Sequence, residues 1–260
     1  MFLKYAVLGT TVYAVGVGGT LVYRSLQKDK ALGEVTDEHR IKVFEEKSIE
    51  FDDHVRQSDG AFKMDKLRKR LIEFTHSKPD ARILEVAAGS GVNSEWYLRS
   101  APTQKLVWTD LSESMLRLAR ESAKSNGINA ECIVLDGEKM DSVPDDSFDF
   151  VIETFGLCSV NRPKAALTEM LRVCAPGGLV LLLEHGKSTN SIFSFAMNWY
   201  LNANAMAHAR LWGCWWNRDI QSEIKSLPDV AIEKYETHHV GTTHFIVLRK
   251  PKKALSLRKT

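Results

Sequence analysis

The segment that most constrains this chain is Ile83-Leu84-Glu85-Val86, followed at once by Ala87-Ala88-Gly89-Ser90-Gly91. A short apolar run closed by small residues reads as a buried strand that feeds a tight turn and opens a helix. A turn of this kind lets backbone N–H groups approach a nucleotide-like ligand, because glycine and alanine put little side chain in the way. Taken alone it also nearly fits the dinucleotide pattern G-x-G-x-x-G/A, through Gly89-Ser90-Gly91-Val92-Asn93-Ser94. Asp110 stands about 20 residues further on, where that pattern expects an acid.

The same strand-then-acid pattern repeats. Lys105 to Asp110, Cys132 to Gly137 and Ser147 to Glu153 each read as a short strand with an acid at or near its end. Helices are expected between them over Ser94–Ser100 and Ser112–Asn126, the latter stopped by Gly127, and then over Arg162–Cys174. The turn Pro176-Gly177-Gly178 precedes a fifth, very apolar strand, Leu179 to Leu183. Alternating strands and helices specify an α/β fold, doubly wound and Rossmann-like. The expected sheet is mostly parallel, with helices on both faces. Ligands of such sheets bind at the carboxyl ends of the strands, where Glu85, Asp110, Asp136 and Glu153 stand. Four acids around one crevice suit a cationic ligand better than a pyrophosphate.

This ordered set resembles the class I S-adenosylmethionine-dependent methyltransferases over roughly residues 60–250, which implies a seven-stranded sheet. Glu85 to Gly91 resembles that family's first motif, E/D-x-G-x-G-x-G. Asp110 matches its ribose-binding acid, Asp136-Gly137 its adenine-contacting pair, and Glu153-Thr154 its fourth motif. Arg172 to Gly178 matches the turn before its fifth strand. The resemblance implies S-adenosyl-L-methionine as cofactor, with Glu85, Ala87, Gly89, Gly91, Asp110, Leu111, Asp136, Gly137 and Glu153 as cofactor-site residues. Glu85 is expected to order the loop rather than touch the cofactor. Ala87 replaces the motif's first glycine, which requires a negative φ there if alanine is to fit without strain. Asp136-Gly137-Glu138 with Pro144 to Asp149 is similar to the ubiquinone-biosynthesis branch of the family. Leu157 to Val160, Leu183-Glu184-His185 and His208 to Arg218 are more similar to membrane-anchored branches, one acting on alkyl thiols and one of the mitochondrial inner membrane.

Tyr5 to Tyr23 is nineteen residues without a charge. As a helix it would span roughly 28 Å at ~1.5 Å per residue, close to the ~30 Å apolar thickness of a bilayer. Lys4 precedes it, and Arg24, Lys28 and Lys30 follow it. Residues 1–24 are therefore expected to be one N-terminal transmembrane helix. A cleaved secretory signal fits less well, because the apolar run is long and its cleavage site poor. Ala6, Thr10, Ala14 and Gly18 form a small-residue stripe that leaves a homodimer open. The short, glycine-rich anchor with basic flanks points to the mitochondrial inner membrane, with the endoplasmic reticulum as the alternative. Residues 25–60, dense in both charges, are expected to be a helical stalk that packs Ile41, Phe44, Ile49 and Phe51 on a domain of residues 61–250. Residues 251–260 continue a run of basic residues that starts at Arg249.

A net charge of +2 and the interleaved charges call for no nucleic-acid partner. The cysteines (132, 158, 174 and 214) lack C-x-x-C spacing, so neither a disulfide framework nor a zinc site is expected. Residues 186–228 hold Phe193, Phe195, Trp199, Tyr200, Trp212, Trp215 and Trp216. They read as an aromatic lid over a small or lipid-like acceptor, as core packing, or as a face resting on a membrane. Phe193, Met197, Tyr200, Asn204, His208, Leu211 and Trp215 would share one helical face. Should the acceptor need a base, His185 at the end of the fifth strand is the first candidate and His208 in the lid the second. Cys214 is a further, weaker candidate as acceptor or ligand. A non-catalytic assembly factor on the same fold remains an alternative. A nicotinamide-dependent oxidoreductase fits less well, since no Tyr-x-x-x-Lys pair follows the fourth strand.

Overall fold

The structure, a computed structural model, describes residues 33–97 and 104–252. The strands are β1 (Arg82–Val86), β2 (Lys105–Asp110), β3 (Ala130–Val134), β4 (Phe148–Thr154), β5 (Cys174–His185), β6 (Ala231–His238) and β7 (Thr243–Arg249). They form one seven-stranded sheet in the order β3-β2-β1-β4-β5-β7-β6. All pairs are parallel except those of β7, which runs antiparallel to both neighbours. Helices α1 (Asp37–Glu46), α2 (Ser48–Phe62), α3 (Met64–Ile72), α4 (Glu113–Asn126), α5 (Pro163–Val173), α6 (Ser194–Trp212) and α7 (Ile220–Lys225) complete the fold.

The central strands are apolar on both sides because both faces are covered. Ile83, Phe150, Ile152, Leu181 and Leu183 join Trp108, Leu71 and Ala119 on one face. Leu84, Val151, Val180 and Leu182 meet Leu167, Met170 and Ile224 on the other. The alternation along β4 and β5 is the two-residue period of a strand placing neighbours on opposite faces. The helix boundaries follow local chemistry. The Ser112 hydroxyl caps α4 by accepting from Met115 N–H at 3.1 Å, and Gly127 ends it in the left-handed region at φ +66°. Pro163 occupies the first turn of α5, where its missing N–H costs nothing.

Several expectations change. β3 ends at Val134, short of the expected Asp136, so Asp136 and Gly137 lie in the loop beyond an edge strand. Val92–Trp96 forms a 3-10 turn where a helix was expected over Ser94–Ser100; residues 98–103 of that region lie outside the described residues. Pro176-Gly177-Gly178 is an irregular stretch inside β5 rather than a turn ahead of it. Pairing with β4 jumps from Phe148↔Cys174 to Phe150↔Leu179, with Gly177 at φ +80°. A Cβ on Gly178 would stand 2.7 Å from the Asp149 carbonyl oxygen, so the bulge requires glycine there.

The charged segment before the domain folds down onto it. Arg40 of α1 is fully buried and donates to the Ser159 carbonyl at 2.7 Å, to Asp37 at 2.5 Å and to Asn161. The lid helix α6 does not bury the face expected from its aromatic spacing. It buries Leu201, Ala205 and Ala209 instead. Phe195 (87% exposed) and Trp199 (62%) point outward, with Ile192 and Phe193 beside them. Among the described residues no helix is long and apolar enough to cross a membrane. The expected anchor, residues 5–23, and most of the basic tail lie outside the described residues.

His244, wholly buried on β7, carries a pH signature. Its Nδ1 accepts from the Tyr235 hydroxyl at 2.9 Å, and its Nε2–H donates to the Lys187 carbonyl at 3.1 Å. That pairing requires the neutral ring, and burial pushes its pKa down to about 4. The unfolded chain takes up this proton near pH 6.5, whereas the fold resists it until about pH 4. This contribution to stability is therefore present above pH 6.5 and is lost as pH falls toward 4, by up to roughly 3 kcal/mol. Thermal unfolding followed by circular dichroism between pH 7.5 and 4.5 should show that loss, and it should be smaller in His244→Asn.

Candidate active site

The site grows from the turn after β1. Ala88 N–H donates to the Thr109 carbonyl of β2 at 2.8 Å, which ties the turn to the neighbouring strand. To leave β1 under that restraint the chain adopts left-handed conformations at Ala87 (φ +52°), Gly89 (φ +57°) and Gly91 (φ +72°). The negative φ expected at Ala87 is thus overturned, and the alanine carries strain that glycine would not. Gly91 is needed for space as well as for φ, since a Cβ there would stand 3.1 Å from the Ala119 Cα and 3.2 Å from Trp108. Gly89 faces open space, with nothing within 4 Å of where its Cβ would be.

Asp110 closes the arrangement. Its carboxylate accepts from Gly89 N–H at 2.9 Å and from Ser112 N–H at 2.9 Å. Burial pushes its pKa up, while those backbone donors pull it back toward the ionised form. Around these groups lies a cavity of about 230 Å³, lined by Ala87, Gly89, Asp110, Leu111, Asp136 and Gly137 among others. The remaining three sequence-named residues do not line it. Gly91 packs behind the turn. Glu85 is buried, with its oxygens engaged by Asn93 Nδ2 (2.7 Å) and the Tyr97 hydroxyl (2.6 Å). Glu153 is buried beneath Gly156, where a Cβ would stand 2.1 Å from its Oε1.

The cavity's cover comes from α1 and α2 through Ile41, Phe44, Phe51 and Val55. Polar clasps hold these helices in place. Glu45 accepts from the Ser112 and Ser114 hydroxyls at 2.6 and 2.7 Å, and Asp52 accepts from Ser90. The sequence named Ile41, Phe44 and Phe51 as packing residues. Their helical spacing was the available signal that they form a cover, and Val55 extends it.

A second cavity, about 270 Å³, shares Phe51, Val55, Arg68, Phe155 and Ser159 with the first. Arg68 stands on this boundary. Its guanidinium donates to Asp59 (2.6 Å) and Thr154 (2.7 Å) and lies 4.8 Å from the centre of the Phe155 ring. Nothing in the sequence singled out Arg68, because its role depends on four segments meeting. The far wall of the second cavity holds both candidate histidines with Phe62, Trp212 and Trp216. His208 stacks on Trp216 at 4.0 Å and bonds the Cys214 carbonyl through Nδ1 at 2.9 Å; burial lowers its pKa. The His185 Nε2 lies 2.8 Å from Cys214 Sγ. Cys158 joins them, so one imidazole nitrogen and two sulfurs lie within 4.8 Å of one another. Burial would raise the Cys158 pKa, but the Cys214 thiol and the His185 ring outweigh it and hold it well below an ordinary thiol.

Behind this wall Glu153 and Glu184 are both buried, and none of their four oxygens has a partner at hydrogen-bond geometry. Burial pushes the Glu153 pKa up to about 7, and burial together with the Glu153 charge raises Glu184 well above the carboxylate range. Glu184 is thus held as a neutral acid beneath the site.

Comparison with known proteins agrees with this geometry. Residues 83–178 match a family model described as a methyltransferase domain. A ubiquinone/menaquinone biosynthesis C-methyltransferase of Pseudomonas putida is 38% identical over 141 residues, covering 53% of this chain and 55% of that protein. The mitochondrial methyltransferase OMS1 of Saccharomyces cerevisiae is 28% identical over 226 residues, covering 80% of this chain and 45% of its own length. The chain therefore spans about half the length of the curated relatives it matches. A solved S-adenosylmethionine-dependent methyltransferase structure from Methanosarcina mazei superposes with a TM-score of 0.51 at 20% identity, over 68% of this chain and 95% of that one. At that identity the likeness establishes the fold alone.

Ala87→Gly should relieve the strain at the turn. Removing a left-handed alanine gains about 1 kcal/mol, partly offset by the greater freedom of glycine in the unfolded chain. A raised unfolding midpoint in urea is expected, and a midpoint lowered by this substitution would contradict a strained Ala87.

Proposed function

We propose that this chain, a class I S-adenosylmethionine-dependent methyltransferase, passes the cofactor's methyl group to a small apolar acceptor held in the second cavity. The cofactor supplies a sulfonium whose methyl carbon is electrophilic without further activation. The protein's tasks are then to align the two partners and keep water out. The observation that carries this reading is the pair of adjoining cavities. One is floored by the turn after β1 and by Asp110. The other is walled by aromatic rings, and the two share Arg68, Phe155 and Ser159.

The first cavity suits the cofactor. The Gly89 backbone faces open space, so a ligand can approach the turn closely. Asp110 is fixed by two N–H donors and, with two lone pairs on each oxygen, retains capacity to accept from a ribose diol. We assign Asp110 to the ribose, Asp136 to the adenine amino group, and the backbone of Ala87 to Gly89 to the polar end of the cofactor. Leu111 and Gly137 complete the wall. Glu85 acts indirectly, by holding Asn93 and Tyr97, and Gly91 by packing the turn on α4. His185 and His208 belong to the acceptor's side of the site. Phe44, Phe51 and Val55 exclude water from above.

Calorimetric titration of the full chain with S-adenosylmethionine tests the first cavity. Asp110→Ala removes charge-assisted hydrogen bonds worth about 1.5–3 kcal/mol each, so affinity should fall by roughly 10- to 100-fold or more. Unchanged affinity would remove Asp110 from the cofactor site. Absence of binding by the folded wild-type chain would favour an assembly factor on a borrowed fold.

We further propose that the chain is membrane-anchored through residues 5–23 and resides in the mitochondrial inner membrane, presenting its acceptor cavity near the bilayer. Two things support this reading: the mitochondrial yeast relative, and the outward-facing Ile192, Phe193, Phe195 and Trp199 at the start of α6. Exposed apolar clusters of this kind suit contact with a lipid surface. The full chain should remain in the membrane pellet after alkaline carbonate extraction, and a variant lacking residues 5–23 should be released. Equal extraction of both would exclude the anchor.

A further inference from the structure

We infer that Cys158, His185 and Cys214 form a zinc site at the wall of the second cavity. Their spacing of 27 and 29 residues hides any motif. The fold nevertheless brings them together from the loop after β4, the end of β5 and the turn that ends α6. Among the described residues they are the one group of three such donors that converges, with all ligand atoms within 4.8 Å of one another. Tetrahedral zinc, with Zn–N of ~2.0–2.1 Å and Zn–S of ~2.3 Å, needs donor atoms about 3.6–3.8 Å apart. The His185 Nε2–Cys214 Sγ contact, 2.8 Å, would part by under about 1 Å to reach that arrangement.

The donor set is selective. Two thiolates and one imidazole are soft-to-borderline ligands that suit zinc and disfavour magnesium or calcium. The surroundings point the same way. Cys158 and Cys214 are 1% and 4% exposed and neither is in a disulfide. Behind them the oxygens of Glu153 and Glu184 have no hydrogen-bond partner. A divalent ion would offset the charge of the two thiolates that bind it. All three ligands line the second cavity, so the fourth position opens onto it. Three protein ligands with one open position is the form of reactive rather than purely structural zinc sites. The fourth ligand is a water molecule, displaceable by an anionic or electron-rich atom of whatever occupies the cavity. Bound to zinc through Nε2, His185 is a ligand rather than a free base.

The test uses the full chain, purified without chelator, with zinc counted by elemental analysis and Co²⁺ as a spectroscopic substitute. We expect about one zinc per chain. After removal of the zinc, titration with Co²⁺ should give a near-ultraviolet thiolate-to-metal band that saturates at one equivalent. Cys158→Ser and Cys214→Ser should each at least halve that band and weaken zinc at least 10-fold, while S-adenosylmethionine binding, read by calorimetry, persists and reports an intact fold. A wild-type chain that binds S-adenosylmethionine yet retains under a tenth of an equivalent of zinc and gives no thiolate band overturns the inference. So does zinc that is retained undiminished in both cysteine variants. Neither result bears on the cofactor cavity, which the calorimetry tests separately.

Discussion

The parallel pairing of β1 with β2 is the constraint on which the rest of this molecule depends. It aligns Glu85 with Trp108 and leaves the next carbonyl of β2, on Thr109, to accept from Ala88 as the chain leaves β1. The turn is thereby held on β2, and Gly89 reaches the Asp110 carboxylate. Three departures into left-handed backbone, at every second residue from 87 to 91, are the local consequence, and one falls on an alanine. The arrangement persists because the surrounding sheet over-determines it, which is how strained backbone survives at functional sites. Once the turn is fixed, a cavity must open above it, because the strands end there and the helices begin.

What covers that cavity is the part of the chain most easily dismissed as a linker. Helices α1 and α2 are rich in charge, yet each carries a few apolar residues on one face and acids on another. The apolar residues roof the cavity, while Glu45 and Asp52 fasten the roof to the N-terminal turn of α4 and to the β1 turn. Arg40 and Arg68 are buried at the seams, and each donates to acceptors from distant segments. Breaking one partner would leave a buried charge exposed to desolvation cost, so these arginines fix the position of the roof more than they add net stability.

The aromatic segment illustrates how spacing misleads when the partner surface is unknown. Its large side chains recur at helical intervals, which reads as an inward face. The helix instead buries Leu201, Ala205 and Ala209. The large residues divide: Trp212 and Trp216 line the second cavity, while Phe195 and Trp199 face outward. This segment therefore meets both the second cavity and the surroundings of the protein.

The first, second and fourth strands, the Gly127 stop and the acids Glu85, Asp110 and Glu153 at strand ends were legible in the chain because they follow from local rules. The lining of the first cavity was legible in part, since Ala87, Gly89, Asp110 and Asp136 sit in or beside strand-to-helix turns whose place the α/β pattern dictates. The backbone angle at Ala87, the buried roles of Glu85 and Glu153, and the convergence of Cys158, His185 and Cys214 were not. Each depends on atoms brought together from far apart in the chain: the Thr109 carbonyl for Ala87, Asn93 and Tyr97 for Glu85, and three separate segments for the sulfur–imidazole cluster. Sequence by itself determined which residues form strands and turns, because those choices are made within a few neighbours. Only the tertiary structure decided which side chains share a cavity, because that choice rests on packing across the sheet.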